Sequence, residues 1–317
     1  MKAIICTQYG PPEVLQLAEV EKPEPKKNEV LIKIHDTAVT ASDCIVRGFN
    51  LPRWKPMGFM MGLVLGFKKP RQPILGMVLS GVVESSGKSV SKFNRGDQIY
   101  GWTISAASRL KFSTYAEYIC LNENATIAKK PEKLSFEEAA AIPYGGLMAL
   151  SYLKKLGVKN DAKILIYGAS GAIGTAAVQL AKYLGAEVTA VCSTANLELV
   201  KSLGADSTID YTKEKLTATG ELFDCILDAV GKKKSNELAS RRLCNNLLAP
   251  NGKYISVDDG SPKIRIEDLT FLNQASEAGK LKGVIDRTFP LKQMAEAHRY
   301  VEKGHKKGNV IIKVEEN

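Results

Sequence analysis

Cysteine is sparse and dispersed in this 317-residue chain: Cys6, Cys44, Cys120, Cys192, Cys225 and Cys244 come no closer together than 19 residues. That spacing excludes a Cys-x-x-Cys redox pair, a zinc knuckle and a local disulfide framework. Cys6, Cys192 and Cys225 lie in apolar strand-like runs, where a free thiol acts as a small hydrophobe. A reducing, cytoplasmic setting is expected. Long apolar runs are missing too. The longest, MGFMMGLVLGF at 57–67, has 11 residues, and a bilayer span takes about 20. The opening MKAIICTQYG is too short in its apolar part for a signal peptide. A soluble protein with no transmembrane segment is expected.

Acidic residues are the minority charge, 34 Asp and Glu against 44 Lys and Arg, a net +10. An excess of this kind can attract nucleic acid, anionic membrane or phosphate-bearing ligands. The cations fall in short clusters such as Lys26–Lys27, Lys68–Lys69, Lys232–Lys234 and Lys306–Lys307, with no aromatic-interleaved basic stripe. Nucleic-acid motifs are absent, so a solvated surface is the reading and no nucleic-acid partner is expected. With 44% hydrophobic and 25% charged residues, the composition excludes disordered, collagen-like and disulfide-scaffold chains.

The length suits about two domains of ~150 residues. Short β-prone runs at 2–7, 29–38, 78–83, 98–102 and 116–121 are broken by Gly, Pro, Asn and Asp, which suggests a barrel-like unit. The character changes at Ser135, a helix N-cap followed by carboxylates (SFEEAAA). Strands at 163–167, 187–192, 223–228 and 252–257 then alternate with helices at 173–184 and 195–203. Alternation of this kind marks a doubly wound parallel sheet. A late amphipathic helix at 291–302 precedes a last strand, NVIIKV, that could return to the first domain.

The sharpest motif is KILIYGASGAIG at 163–174, a buried strand entering a Gly-rich turn and then a small-residue helix. Gly168 permits the turn, Gly171 lets backbone approach a pyrophosphate, and Gly174 lets helix and sheet pack closely. The helix N-terminus adds free N–H groups and partial positive charge. The second strand ends in Ser193, Thr194, Ala195 and Asn196, where an NAD enzyme usually carries Asp or Glu. No carboxylate there repels a 2′-phosphate, and both hydroxyls can donate to one. NADPH is therefore favoured over NADH as cofactor.

With these motifs the sequence resembles the zinc-independent quinone oxidoreductases, the zeta-crystallin-like family of the medium-chain dehydrogenase/reductase superfamily. The resemblance runs from Tyr9-Gly-Pro-Pro-Glu-Val-Leu15 through Gly96-Asp97, Thr114-Tyr-Ala-Glu-Tyr118 and Glu138-Ala-Ala-Ala-Ile-Pro143. Beyond the glycine motif it continues in Leu203-Gly-Ala-Asp206, Ile209-Asp-Tyr211 and Asp228-Ala-Val-Gly231. It implies an α/β fold: a discontinuous GroES-like β-barrel domain (1–125 and 280–317) and an inserted Rossmann NADP-binding domain (126–279). The expected site is the cleft between them.

The resemblance also implies roles. Gly168, Ala169, Ser170, Gly171, Ala172, Ile173 and Gly174 would hold the pyrophosphate, and Ser193 and Thr194 the 2′-phosphate. Tyr211 would lie at the adenosine phosphate, Val230 and Gly231 along the nicotinamide ribose, and Val257 near the carboxamide. Lys306, Gly308 and Asn309 would close over the site. Zinc dehydrogenases share the fold, but Thr40 stands where their first Cys would be, Met77 and Val78 replace the His-Glu pair, and Pro143-Tyr144 falls at the third position. The four-cysteine lobe is missing as well, so no metal site is expected. His35, His298 and His305 lie elsewhere and read as structural or solvated.

The substrate end departs from the family: Thr40 stands where Asn is frequent, Ile45 where Tyr is frequent, and Gly146-Leu-Met148 replaces Gly-Leu-Thr. Thr40, Asp43 and Tyr144 are the catalytic candidates, with Tyr115 a further pocket candidate. The expected reaction is hydride transfer from NADPH to a small apolar electrophile, a quinone or an α,β-unsaturated carbonyl, by a homodimer. Such acceptors are activated by conjugation, so a donor such as the Thr40 hydroxyl could suffice for the oxyanion. A second reading is a non-catalytic NADPH sensor whose basic surface binds RNA or a protein, and a third is a zinc alcohol dehydrogenase. The apolar, basic-flanked stretch 50–72 is open to three readings: a buried or subunit-contact helix, an adaptable substrate cover, or a membrane-surface contact.

Overall fold

The computed structural model describes residues 1–49, 56–103, 111–216, 220–231, 246–260 and 262–315. Arg53, Trp54, Lys55, the Lys232–Lys234 cluster and Cys244 lie outside the described residues. The chain divides into two units, Met1–Pro143 with Ile285–Asn317, and Tyr144–Val284.

In the first unit, β1 (Lys2–Cys6) pairs antiparallel with β2 (Leu15–Glu19). The long strand β3 (Glu29–Val39) leads into helix α1 (Ala41–Gly48) and helix α2 (Pro56–Leu65). Then come β4 (Val78–Ser86), β5 (Gln98–Trp102), β6 (Tyr118–Asn122), β7 (Thr126–Lys129) and helix α3 (Phe136–Ala140). Ser135 caps α3 through a reciprocal box with Glu138, as the SFEE pattern requires.

The second unit opens with helix α4 (Pro143–Leu156), whose first residue closes the barrel unit. There follow β8 (Lys163–Tyr167), α5 (Ala172–Tyr183), β9 (Glu187–Cys192), α6 (Leu197–Ser202), β10 (Ser207–Asp210), β11 (Phe223–Asp228), β12 (Leu248–Ser256) and α7 (Ile266–Glu277). All five strands are parallel, in the order β10-β9-β8-β11-β12. This is the doubly wound arrangement with its switch point between β8 and β11. KILIY and EVTAVC are buried after their first residue because a central parallel strand is covered on both faces.

The chain returns to the barrel unit with β13 (Ile285–Pro290), helix α8 (Met294–Glu302) and β14 (Asn309–Lys313). The barrel sheet runs β13-β14-β3-β4-β5-β7, with β6 also pairing β3. β3 serves three partners because its Glu29–Lys33 half meets β6 and its Asp36–Val39 half meets β14, while β4 takes the other edge. Register shifts after Leu31 and Ile34 bend it between those halves.

Three expectations need correction. The units divide after Pro143 and Val284, not at 125 and 279, because β7 pairs β5 and α3 packs on the barrel sheet. The 195–203 helix begins as a 3₁₀ turn, Thr194–Asn196, before α6. The barrel unit, read from sequence chiefly as strands, carries α1 directly after β3, and within the 50–72 stretch α2 takes the helical one of the readings left open.

Candidate functional site

The Rossmann unit builds its turn from backbone. Gly168 takes φ +78°, a left-handed conformation that a Cβ would strain, and a Cβ there would also meet Val230 Cγ2 at 2.4 Å. The Gly168 and Ala169 amides both donate to Val191 O at 3.0 Å, tying the turn to β9. A Cβ on Gly174 would stand 2.2 Å from Gly168 O and 2.6 Å from Ala169 Cα, so close helix–strand packing forbids one. Gly171 differs. It is the extended N-cap of α5, with φ −79°, and a Cβ there would meet only Gly168 O at 3.6 Å.

Among the described residues, nothing in the packing therefore requires glycine at 171. The space its missing side chain leaves lies at the helix N-terminus, where the first amides lack intrahelical acceptors. A dinucleotide pyrophosphate fits that cradle. Ala169, Ser170, Ala172 and Ile173 complete the turn, and Ser170 Oγ accepts from Asn196 Nδ2 at 3.2 Å. Gly145 was missed by sequence reasoning: a Cβ there would lie 2.3 Å from Ala172 O, so α4 starts against the turn. The signal was a Gly-Gly pair opening a helix, where glycine is otherwise unfavourable.

At the ends of β9 and β10 a polar cluster forms. The Thr194 hydroxyl donates to Asp210 Oδ2, and the Thr212 hydroxyl and amide donate to Asp210 Oδ1 at 2.6 and 3.0 Å. These donors hold the Asp210 carboxyl below the usual range. Thr194 thus has its hydrogen committed within the protein. Ser193 Oγ accepts from Asn196 Nδ2 at 3.2 Å, which leaves its own hydrogen to donate elsewhere. Lys213, not singled out in the sequence, brings its Nζ to 3.9 Å from Asp210 Oδ2 with most of the side chain in solvent. The exposed ring of Tyr211 stands 6.1 Å from that of Tyr167.

The β11 end is set by Asp228, fully buried and another residue the sequence reading left without a role. Its Oδ1 accepts from the Val230 and Gly231 amides at 3.0 Å, and its Oδ2 from Tyr254 and Ser256. Both backbone groups of Val257 are engaged: its amide donates to Asp228 O and its carbonyl accepts from Tyr152 Oη.

The barrel unit holds the remaining candidates. Thr40 caps α1 in a reciprocal box: its amide and hydroxyl donate to Asp43 Oδ2 at 2.8 and 2.6 Å, and the Asp43 amide donates back to Thr40 Oγ1. Both are buried, so the Thr40 hydrogen, expected to meet an oxyanion, is committed to Asp43. The Tyr115 hydroxyl faces Asp43 and lies 3.2 Å from His298 Nε2, whose other ring nitrogen is 3.5 Å from Cys44 Sγ. Burial pushes His298 down to about 3 and Cys44 up to about 12, which keeps both neutral. Lys306 donates to Gly308 O and burial lowers it to about 8, while Asn309 begins β14. Tyr144, the third catalytic candidate, opens the other unit and is buried there. Ile45 stands half exposed on α1. Among the described residues, no three His, Cys, Asp or Glu are grouped to hold a metal.

Burial raises Asp43 from an ordinary 3.8 to about 7, outweighing its hydrogen bonds from Thr40. Between those values the folded chain holds a proton that the unfolded chain has released. Its contribution is therefore complete below 3.8 and is lost as pH rises through about 7. Asp43→Asn keeps a capping oxygen and removes this titration. Relative to the parent, the variant is expected to gain on the order of 1–3 kcal/mol from pH 4 to pH 8. Urea midpoints across that range test it, and a pH-independent difference would show that Asp43 ionises normally. His298 and Asp36 are common to both proteins and cancel.

Family models match most of the chain. "Alcohol dehydrogenase GroES-like domain" matches residues 26–132, and two models described as "Zinc-binding dehydrogenase" match 172–284 and 261–312. A quinone oxidoreductase structure from Coxiella burnetii superimposes with a TM-score of 0.81 at 29% identity, covering 99% of each chain. The 2-methylene-furan-3-one reductase of Solanum lycopersicum is 34% identical over 98% of this chain and 79% of its own. The chain belongs to the quinone oxidoreductase family of the medium-chain dehydrogenase/reductases. Another member of that family, the chloroplastic NADPH-dependent alkenal/one oxidoreductase of Arabidopsis thaliana, is 30% identical over 98% of this chain and 79% of its own. Membership accounts for the co-linear motifs from Tyr9 to Gly231 and for the parallel order of the five strands.

Proposed function

We propose that this oxidoreductase is an NADPH-dependent, zinc-independent reductase of quinones or α,β-unsaturated carbonyls. The observation that carries the reading is the open Cβ shell at Gly171, set between two glycines that packing does require. When bound, the nicotinamide supplies a hydride to an electron-poor carbon conjugated to a carbonyl. The chain's residues bind and orient. Gly168–Gly174 would take the pyrophosphate, Asp228 sets the backbone of Val230 and Gly231 for the ribose, and Val257 would lie near the carboxamide. Thr40, Met77 and Val78 at the zinc-ligand positions support metal-free chemistry. With the Thr40 hydrogen already given to Asp43, orientation and acceptor activation carry the reaction, a share of several kcal/mol.

The fold brings the Asp210 carboxylate onto Thr194, against the expectation of a carboxylate-free strand end, so the preference for NADPH rests on Ser193, which has a hydrogen to donate, and on the Lys213 ammonium that offsets Asp210. Paired fluorescence titrations with NADPH and NADH, followed by turnover of a simple quinone and an enone, test the whole reading. Tighter NADPH binding with turnover is expected. Binding without turnover would favour a sensor, and no binding would remove the enzyme. Lys213→Glu is expected to weaken NADPH by about tenfold or more and leave NADH within about twofold. Equal weakening of both would take Lys213 out of 2′-phosphate recognition.

A further inference from the structure

Helix α2 puts apolar side chains into water on one side. Phe59, Met60, Leu63 and Val64 are 53, 62, 48 and 42% exposed, and their spacing places them on one helical face. Gly58, Gly62 and Leu65 are buried on the other. The helix end is fixed: Tyr9 Oη donates to Leu65 O and Gly66 O at 2.9 Å, and the Arg71 amide folds back to Leu65 O at 2.8 Å. The Phe67 ring, 5.6 Å from that of Phe59, extends the apolar surface toward the loop. There Lys68, Lys69 and Arg71 are exposed. No carboxylate stands anywhere between Asp43 and Glu84, a stretch that carries six cations. Arg47, one of the six, is buried and paired with Glu302.

We propose that this α2 face, with Lys68, Lys69 and Arg71 at its edge, docks on an anionic lipid bilayer. Ten residues span about 15 Å, too short to cross and suited to lying in the interface with apolar side chains among the acyl chains. Cations beside such a face are drawn to anionic headgroups, and the stretch itself carries no carboxylate to oppose that attraction. A protein partner would be expected to meet the cations with paired carboxylates; a bilayer needs only surface charge and depth.

Full-length protein is sedimented with phosphatidylcholine vesicles, with and without phosphatidylserine. Binding to the phosphatidylserine vesicles is expected to be about tenfold stronger and to fade at ~0.5 M salt. Two variants, Phe59→Asn with Leu63→Asn, and Lys68→Gln with Lys69→Gln and Arg71→Gln, are each expected to lose it by about tenfold. Their thermal midpoints and NADPH affinity should stay at parental values. Equal binding to both vesicle types, or variants that bind as the parent does, would overturn the proposal. So would a parental oligomer that the apolar variant dissociates, since a second copy would then cover the face. A rise in quinone KM with vesicle binding unchanged would assign the helix to the substrate instead.

Discussion

Gly171→Ala is expected to leave the Rossmann unit folded while weakening NADPH binding by about 10–100-fold. The added Cβ would meet only Gly168 O at 3.6 Å, an ordinary contact, so the fold accommodates it. What it would intrude upon is the space assigned to the pyrophosphate. Gly174→Ala should behave in the opposite way. Its Cβ would come to 2.2 Å from Gly168 O and 2.6 Å from Ala169 Cα, both backbone atoms that cannot swing aside. A destabilisation of about 3 kcal/mol is expected, at the upper end for overpacking. Thermal melts without cofactor and fluorescence titrations with it separate the two. Parental NADPH affinity in Gly171→Ala would mean that the turn is not the phosphate site.

Arg47 and Glu302 offer the second large effect. The Arg47 side chain is 1% exposed, pairs through Nη2 with Glu302, and keeps Nε and Nη1 buried with no hydrogen-bond partner among the described residues. Removing the counter-charge by Glu302→Gln leaves a cation stranded in the interior. The expected loss is about 2–3 kcal/mol, below the figure for a fully buried pair because Glu302 is partly in water. Arg47→Met removes the cation together with its unmet donors and retains apolar length. It is expected to fall within about 1 kcal/mol of the parent, on either side. Urea unfolding of the two single variants decides, and a larger loss in Arg47→Met would mean that the ion pair stabilises net.

Much of the nucleotide side was legible because its determinants are local. A strand, three glycines at fixed spacing and a small-residue helix are consecutive in the chain, and KILIYGASGAIG folds as β8, turn and α5. The polar character of the β9 end was legible for the same reason. Who holds each hydrogen was not. Thr194 gives its hydrogen to Asp210, sixteen positions away on a neighbouring strand, and Lys213 joins the cluster only because β10 pairs with β9. Asp228 is a similar case: its partners Tyr254 and Ser256 lie on β12, beyond a long intervening segment.

On the barrel side less could be read. Thr40 and Asp43 form a capping pair three residues apart, a signature visible in TASD, yet the sequence reading took them for chemistry because they stand at zinc-ligand and pocket positions. His298 is joined to Tyr115 and Cys44 across separations of 183 and 254 residues, which no local pattern encodes.

By itself the sequence determined the two-part α/β organisation, the glycine turn and the absence of ligand residues at the zinc positions. Each of these is written in short-range pattern and residue type. Tertiary structure alone decided where the units divide, which hydroxyls have hydrogens to spare, which carboxyls burial pushes upward and which face of α2 meets water. Those properties depend on desolvation and on partners supplied from distant strands, and both come into being only when the chain has folded.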